Sequence, residues 1–121
     1  MTREEALTAA LSPSWSDRAA AATELSAQLD EEVEPVVQRL LADEDTGVIE
    51  AAAAGLLARR DLDGVRLFCS AHAEADDHVG DHLNDVLRDA VHAAPEVVDL
   101  LRTAAQHGEP GAREVLRWLG R

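Results

Sequence analysis

The amino-acid sequence predicts an all-α protein built from stacked helix pairs, and two observations support this prediction. One is a pattern of near-constant spacing: equivalent segments 31, 31 and 33 residues apart begin at Asp17, Val48, Val79 and Ala112. The other is composition, since alanine is the commonest residue and no segment shows the alternation of a β-strand. A repeat of this length is typical of helix pairs that bury their apolar faces only by stacking on neighbours.

Turn and capping residues divide the first half of the chain into four helices. Pro13 follows a short first helix, and Ser14 with Asp17 three residues later predicts a capping box at the start of the second. Asp30 begins the third and places negative charge at the helix N-terminus, where the helix dipole favours it. An acidic turn over residues 43–47 then leads into the fourth helix. The predicted ranges are about 3–11, 14–28, 31–42 and 48–59.

The second half divides in the same way. Arg59 puts positive charge at the end of the fourth helix, and Asp61 is expected to cap the fifth. Asp76 precedes the sixth, Pro95 occupies the first position of the seventh, and Gly108 begins the break before the last. The predicted ranges are about 62–74, 77–93, 95–107 and 110–120. Connections this short favour antiparallel neighbours.

Within the predicted pairs, an acidic turn is followed by a Val-Arg-like step and then by Ala and Leu four and eight residues later. This pattern, clearest at residues 17–25 and 40–48, resembles the HEAT repeat, although Ile49 and Gly80 replace the arginine in the second and third repeats. The resemblance implies a right-handed α-α superhelix (solenoid) of about four pairs and a scaffold or adaptor role, as in short stand-alone bacterial HEAT proteins. The repeats span about 3–28, 31–60, 61–93 and 95–120 of a single domain, 1–121.

The charge of the chain restricts its partners. It has 24 acidic and 11 basic residues, a net charge of −13, and so disfavours binding to nucleic acid or to anionic membrane surfaces. A basic protein is the partner that this charge would attract, although acidity that serves solubility alone is an equal alternative. With no signal-like or membrane-spanning apolar run and with Cys69 as its single cysteine, the chain is expected to be cytoplasmic.

The second helix of each pair is expected to supply an acidic face for that partner. The candidate residues are Glu50 on the fourth helix and three aspartates, Asp81, Asp85 and Asp89, spaced four residues apart on the sixth. Trp118 is a further candidate as an exposed anchor. The alternative is that Trp118, like Trp15 near the other end, shields the open end of the stack.

Catalysis and metal binding are the competing interpretations. His78, His82 and Asp85 lie along one side of the sixth helix and could present two imidazoles and a carboxylate to one ion, or could simply be solvated. No phosphate-binding glycine loop or HExxH motif is present, and the serines are typical of turns and caps. HEAT-type folds do host DNA-base excision and pigment-attachment enzymes, but the excision enzymes require a basic cleft.

The sequence therefore predicts a non-enzymatic protein-protein interaction module without a cofactor or bound metal, either a monomer or a weak homodimer. An immunity or antitoxin-like protein that masks a basic effector is a more specialised form of the same hypothesis. An enzyme on a HEAT-type fold remains the alternative from a different class.

Overall fold

The computed structural model describes all 121 residues and contains eight α-helices and no β-strand. The helices are α1 (Arg3–Ala9), α2 (Trp15–Ser26), α3 (Glu34–Leu40), α4 (Thr46–Ala58), α5 (Leu62–Glu74), α6 (Asp77–Ala93), α7 (Val97–Gln106) and α8 (Ala112–Trp118). The all-α class and the order of eight helices are confirmed. No helix combines the length and the apolar character that crossing a membrane requires.

Aspartate side chains begin three of the central helices. Asp45 accepts the backbone N–H of Gly47 at 2.8 Å at the start of α4, and Asp61 accepts that of Gly64 at 2.9 Å at the start of α5. Asp76 accepts the N–H of Val79 at 2.9 Å in the same way at the start of α6. Each bond satisfies a backbone donor that has no partner within the helix, which fixes where the helix begins.

The predicted capping box at Ser14 is wrong. The Ser14 side chain makes no capping bond; its hydroxyl lies 2.9 Å from that of Ser16, and the Asp17 carboxylate accepts the Ser12 hydroxyl at 2.8 Å. A capping box forms instead at the start of α1, between Thr2 and Glu5. The spacing of Ser14 and Asp17 suits a capping box, but the preceding turn offers both side chains other partners.

Three helices, α3, α7 and α8, begin two or three residues later than predicted because a turn precedes each of them. Before α3, Asp30 Oδ1 accepts the N–H groups of Glu32 and Val33 at 2.9 and 3.0 Å, which holds residues 30–33 in a turn. Before α7, the Pro95 carbonyl accepts the N–H of Val98 at 3.1 Å, and the helix starts at Val97. Proline at the start of the turn is compatible with this because it has no N–H to satisfy.

Helix α4 is the centre of the packing. It contacts α2 on one side and α6 on the other, and it also contacts α3 and α5. Helix α7 packs mainly on α8 and α5, and α8 packs on α7 and α5 rather than continuing the row α2, α4, α6. The buried side chains form one continuous core. Within α4 this core contains Val48, Ile49, Ala52, Ala53, Leu56 and Leu57.

Helices α2 and α4 approach each other closely at Ser26 and Gly55. Ser26 is fully buried, and its hydroxyl donates to the carbonyl oxygens of Ala22 at 2.6 Å and Ala52 at 3.3 Å, which links the two helices. A Cβ atom added to Gly55 would lie 2.7 Å from the Ser26 Cβ, closer than carbon atoms can pack. Glycine at this position therefore sets the distance between α2 and α4.

A partly buried ion pair joins α2 to the turn before α4. The Arg18 guanidinium binds both carboxylate oxygens of Asp43, at 3.0 and 3.1 Å, and donates to the Ser12 carbonyl at 3.0 Å. Burial acts to raise the pKa of Asp43, but hydrogen bonds from Arg18 and from the Asp45 N–H, together with the arginine charge, outweigh it and lower the pKa. The ionised form of Asp43 is thus favoured by the folded chain.

Candidate protein-interaction surface on helices α4 and α6

An apolar groove of about 450 Å³ runs between α4 and α6. Three side chains of α4 and three of α6 form its floor: Ala54, Leu57, Ala58, Val86, Ala90 and Ala93. Within the alanine run of α4, Ala52 and Ala53 are buried, whereas Ala54 is exposed in this groove. We call this feature the α4–α6 groove.

Two of the five predicted partner-binding residues line the α4–α6 groove. Glu50 lies on α4 and Asp89 on α6, and both side chains border the apolar floor. Glu50 Oε1 is 2.9 Å from His82 Nδ1, a contact that ties α4 to α6 at this point. Arg60 also lines the groove, but its guanidinium lies 3.5 Å from the Glu96 carboxylate and is partly neutralised by it. The edge of the groove is therefore acidic.

The other two predicted aspartates of α6 are exposed outside the groove. Since each residue advances a helix by about 100°, Asp85 lies about 40° and Asp81 about 80° around the axis from Asp89. Asp85 Oδ1 accepts from Arg88 at 3.3 Å in an exposed pair. The three aspartates thus form one winding acidic row in which only Asp89 borders the groove.

Trp118 lies away from the α4–α6 groove. Its ring packs under the Arg88 guanidinium, whose central carbon is 5.1 Å from the ring centroid, and 41% of the residue remains exposed. Arg88 adjoins Asp89 in the chain and so points about 100° away around α6. At the other end of the chain, the ring of Trp15 lies against Gly47 and the residue is 54% exposed. Trp118 therefore lies apart from Glu50 and Asp89, but Arg88 links it to Asp85, whose carboxylate is 3.3 Å from the same guanidinium.

The histidines of α6 contact each other and other residues of the chain. The rings of His78 and His82 meet edge to face with centroids 5.0 Å apart, while His82 contacts Glu50 and Asp85 binds Arg88. No group of three histidine, cysteine, aspartate or glutamate side chains is arranged to hold a metal ion. His78, His82 and Asp85 lie along one side of α6 as predicted, but Glu50 contacts His82 and Arg88 binds Asp85.

The contact between His72 and Asn84 could not be recognised in the sequence. His72 Nε2 lies 2.9 Å from Asn84 Oδ1 and joins α5 to α6, while Nδ1 is buried without a partner. The two residues are twelve positions apart on different helices, so no local spacing indicates the pair. The groove floor was missed for the same reason, because exposed and buried alanines look alike in a sequence.

Cys69 has the environment of a core residue rather than of a nucleophile. It is fully buried in α5, and burial, with a smaller contribution from the Glu109 charge, raises the pKa of its thiol to about 12. The reactive thiolate is therefore disfavoured at neutral pH. Cys69 therefore packs as a small apolar side chain of the core.

The remaining pockets are acidic or mixed in charge. In none of the five main pockets do arginines outnumber carboxylates. The most polar one, about 230 Å³ between α3 and α5, contains Arg66 beside Glu34, Asp63 and Glu109. Its arginine is already bound to Glu109 at 3.1 Å. A cleft of this charge does not attract a phosphate backbone.

Comparison with known proteins identifies no relative. No protein-family model, curated protein or solved structure matches the chain. The function is accordingly inferred from the fold and from the surface chemistry described above.

Proposed function

We propose that the protein is a non-catalytic, HEAT-like interaction module that binds a basic protein partner through the face formed by α4 and α6. One observation carries the proposal: an apolar groove is bordered by Glu50 and Asp89 in a chain whose net charge is −13. Apolar surface contributes binding energy when it is covered, and a surrounding acidic edge favours a partner of opposite charge.

The helix contacts support a HEAT-like arrangement in the first two predicted pairs and in the row of second helices, whereas α5 packs on α4 and α7 more than on α6. Within the first two pairs α1 packs on α2 and α3 on α4, and the second helices α2, α4 and α6 are neighbours in that order. The Arg18–Asp43 ion pair connects the first pair to the second. Such a row presents one continuous wall of second helices to a partner.

The acidic side chains of this wall can attract a basic partner at long range because few of them are paired with a cation. Asp81 and Asp89 are exposed and make no ion pair, while Asp85 has only its exposed contact with Arg88. Exposed charges of this kind raise the rate at which an oppositely charged partner associates, and salt screens the effect. This predicts a partner whose association slows as the salt concentration increases.

The proposal can be tested by affinity capture from the native host at low and moderate salt, followed by kinetics with the captured protein. We expect a basic protein, and we expect the triple variant D81N/D85N/D89N to associate more slowly and with a weaker salt dependence. The fold should be unchanged or slightly stabilised, since like charges at i, i+4 cost a few tenths of a kcal/mol per pair. If the association rate and its dependence on salt concentration were unchanged in the triple variant, the acidic residues would serve solubility alone.

The identity of the captured protein separates the two forms of this function. A toxic basic effector whose activity the chain inhibits would indicate an immunity role, whereas a basic component of a larger complex would indicate an adaptor. An enzyme would instead turn over a small molecule in the absence of any protein partner.

A further inference from the structure

Resting on the proposed function, we infer that the partner segment is a basic amphipathic helix of two to three turns that lies in the α4–α6 groove. Its apolar side chains contact the floor formed by Ala54, Val86 and Ala90, and its lysine or arginine side chains pair with Glu50 and Asp89.

The length of the groove fits such a helix. Its lining extends from Glu50 to Ala58 on α4 and from Val86 to Ala94 on α6. Eight residues of helix correspond to about 12 Å in each case, which is the length of a little more than two helical turns. Apolar residues spaced i, i+4 and i+7 on an occupying helix would span most of this distance.

The floor favours a helix that packs closely. Most of its side chains are alanines, so the backbone of an occupying helix can approach more closely than it could over leucine or phenylalanine. The chain has no β-strand to which an extended segment could add. β-Strand addition is therefore not available to a partner, and the close approach that the alanine floor permits favours a helical occupant.

The charges decide between occupants. A second copy of this chain would also carry a net charge of −13, which disfavours its approach to a groove edged by Glu50 and Asp89. A basic segment gains from Asp89, which has no ion-pair partner, and from Glu50, which contacts His82 through one carboxylate oxygen but whose side chain remains 46% exposed. The one arginine of the lining, Arg60, lies 3.5 Å from the Glu96 carboxylate, so it opposes such a segment only weakly.

The inference can be tested with a fluorescent 14-residue peptide of leucine and lysine whose leucines form one face of a helix. The control peptide has the same composition in a scrambled order and the same charge. We expect the amphipathic peptide to bind and the scrambled peptide to bind at least tenfold more weakly. Equal binding of the two peptides would contradict a helical occupant and would show instead that the chain attracts basic peptides in general.

Two single substitutions on α6 locate the bound peptide. D89N and D81N remove the same charge from exposed aspartates of one helix, neither of which has an ion-pair partner, but only Asp89 borders the groove. We expect D89N to weaken binding about threefold to fivefold, as for a partly exposed ion pair, and D81N to change it less than twofold. Equal effects would overturn the groove as the site while leaving the acidic face, and so the proposed function, in place.

A steric variant tests the floor independently of charge. Ala54 is exposed in the groove, so A54W should fill it and reduce peptide binding at least tenfold, whereas A20W at an exposed position of α2 should not. Circular dichroism and thermal melting verify that both variants fold. Unchanged binding by A54W would overturn the inference. Absence of binding by either peptide, together with no salt-sensitive partner from the host, would instead contradict the proposed function.

Discussion

Two glycines in helix interiors provide a direct test of the close approach between α2 and α4. Replacing glycine by alanine in a helix stabilises it by about 0.5–1 kcal/mol, because alanine loses less backbone entropy on folding. A Cβ atom added to Gly80 of α6 would meet no atom within 4 Å. We therefore expect G80A to increase the free energy of unfolding by about 0.5–1 kcal/mol.

The same substitution at Gly55 should have the opposite sign. The new Cβ would lie 2.7 Å from the Ser26 Cβ, whereas carbon atoms pack favourably at about 3.5–4.0 Å, so α2 and α4 must separate by about 1 Å. Overpacking of this kind costs about 1–3 kcal/mol. Disturbing the Ser26–Ala52 hydrogen bond costs about 1 kcal/mol more. After the helix-propensity gain, we expect G55A to reduce the free energy of unfolding by about 1–3 kcal/mol.

Urea unfolding followed by circular dichroism measures both variants against the parent chain, with the midpoint expected to rise for G80A and to fall for G55A. Adding Ser26→Gly to G55A should recover part of the loss, since it removes the overlapping Cβ, whereas Ser26→Ala should not. If G55A stabilised the chain as much as G80A, the close packing of α2 on α4 would be wrong.

Two further predictions concern titratable groups. D43N should destabilise the chain by about 1–3 kcal/mol at pH 7, because it leaves Arg18 partly buried without its counterion. The pKa of Asp43 is lower in the folded chain than in the unfolded chain, where it is about 4. The stability that the ionised carboxylate contributes is therefore complete above about pH 4 and is lost as the pH falls through the lowered folded-state pKa. In urea unfolding, the difference in stability between D43N and the parent should shrink over this acidic range. If the difference stayed constant down to pH 2, the ion pair would not be its source. Cys69 should be protected from a thiol reagent at pH 8 while the chain is folded, because it is buried and burial raises the pKa of its thiol to about 12. Its modification should therefore proceed only as fast as the chain unfolds. Rapid reaction of the native chain would contradict the buried position.

The starts of several helices could be predicted because their signals are local. Asp61 and Asp76 each precede a helix whose first free N–H groups lie within reach of the carboxylate, so sequence spacing indicates the cap. The start of α4 was predicted less well, since Asp45 caps a helix that begins at Thr46, two residues before the predicted start. Ser14 has similar spacing to Asp17 but does not form the box. Its hydroxyl contacts Ser16, and Asp17 contacts Ser12, which shows that a local signal fails when a neighbouring turn supplies competing partners.

The candidate surface could be predicted only in part. The sequence indicated that Asp81, Asp85 and Asp89 lie on the exposed side of one helix, and their positions agree. It gave no indication that Asp89 shares a groove with Glu50 while Asp81 does not, or that Trp118 contacts Arg88 on another side of α6. Those relations depend on the angle at which one helix meets the next.

The sequence by itself determined the all-α class, the number and order of the helices, and the acidic character of the surface. These properties follow from composition, from the period of the apolar residues and from capping bonds that join residues a few positions apart. Only the tertiary structure decided that Ala52 is buried while Ala54 is exposed in a groove, and that α8 packs on α7 and α5. The reason is physical: burial of a helix face depends on which distant helix covers it, and glycine and alanine positions such as Gly55 set how closely the two can approach.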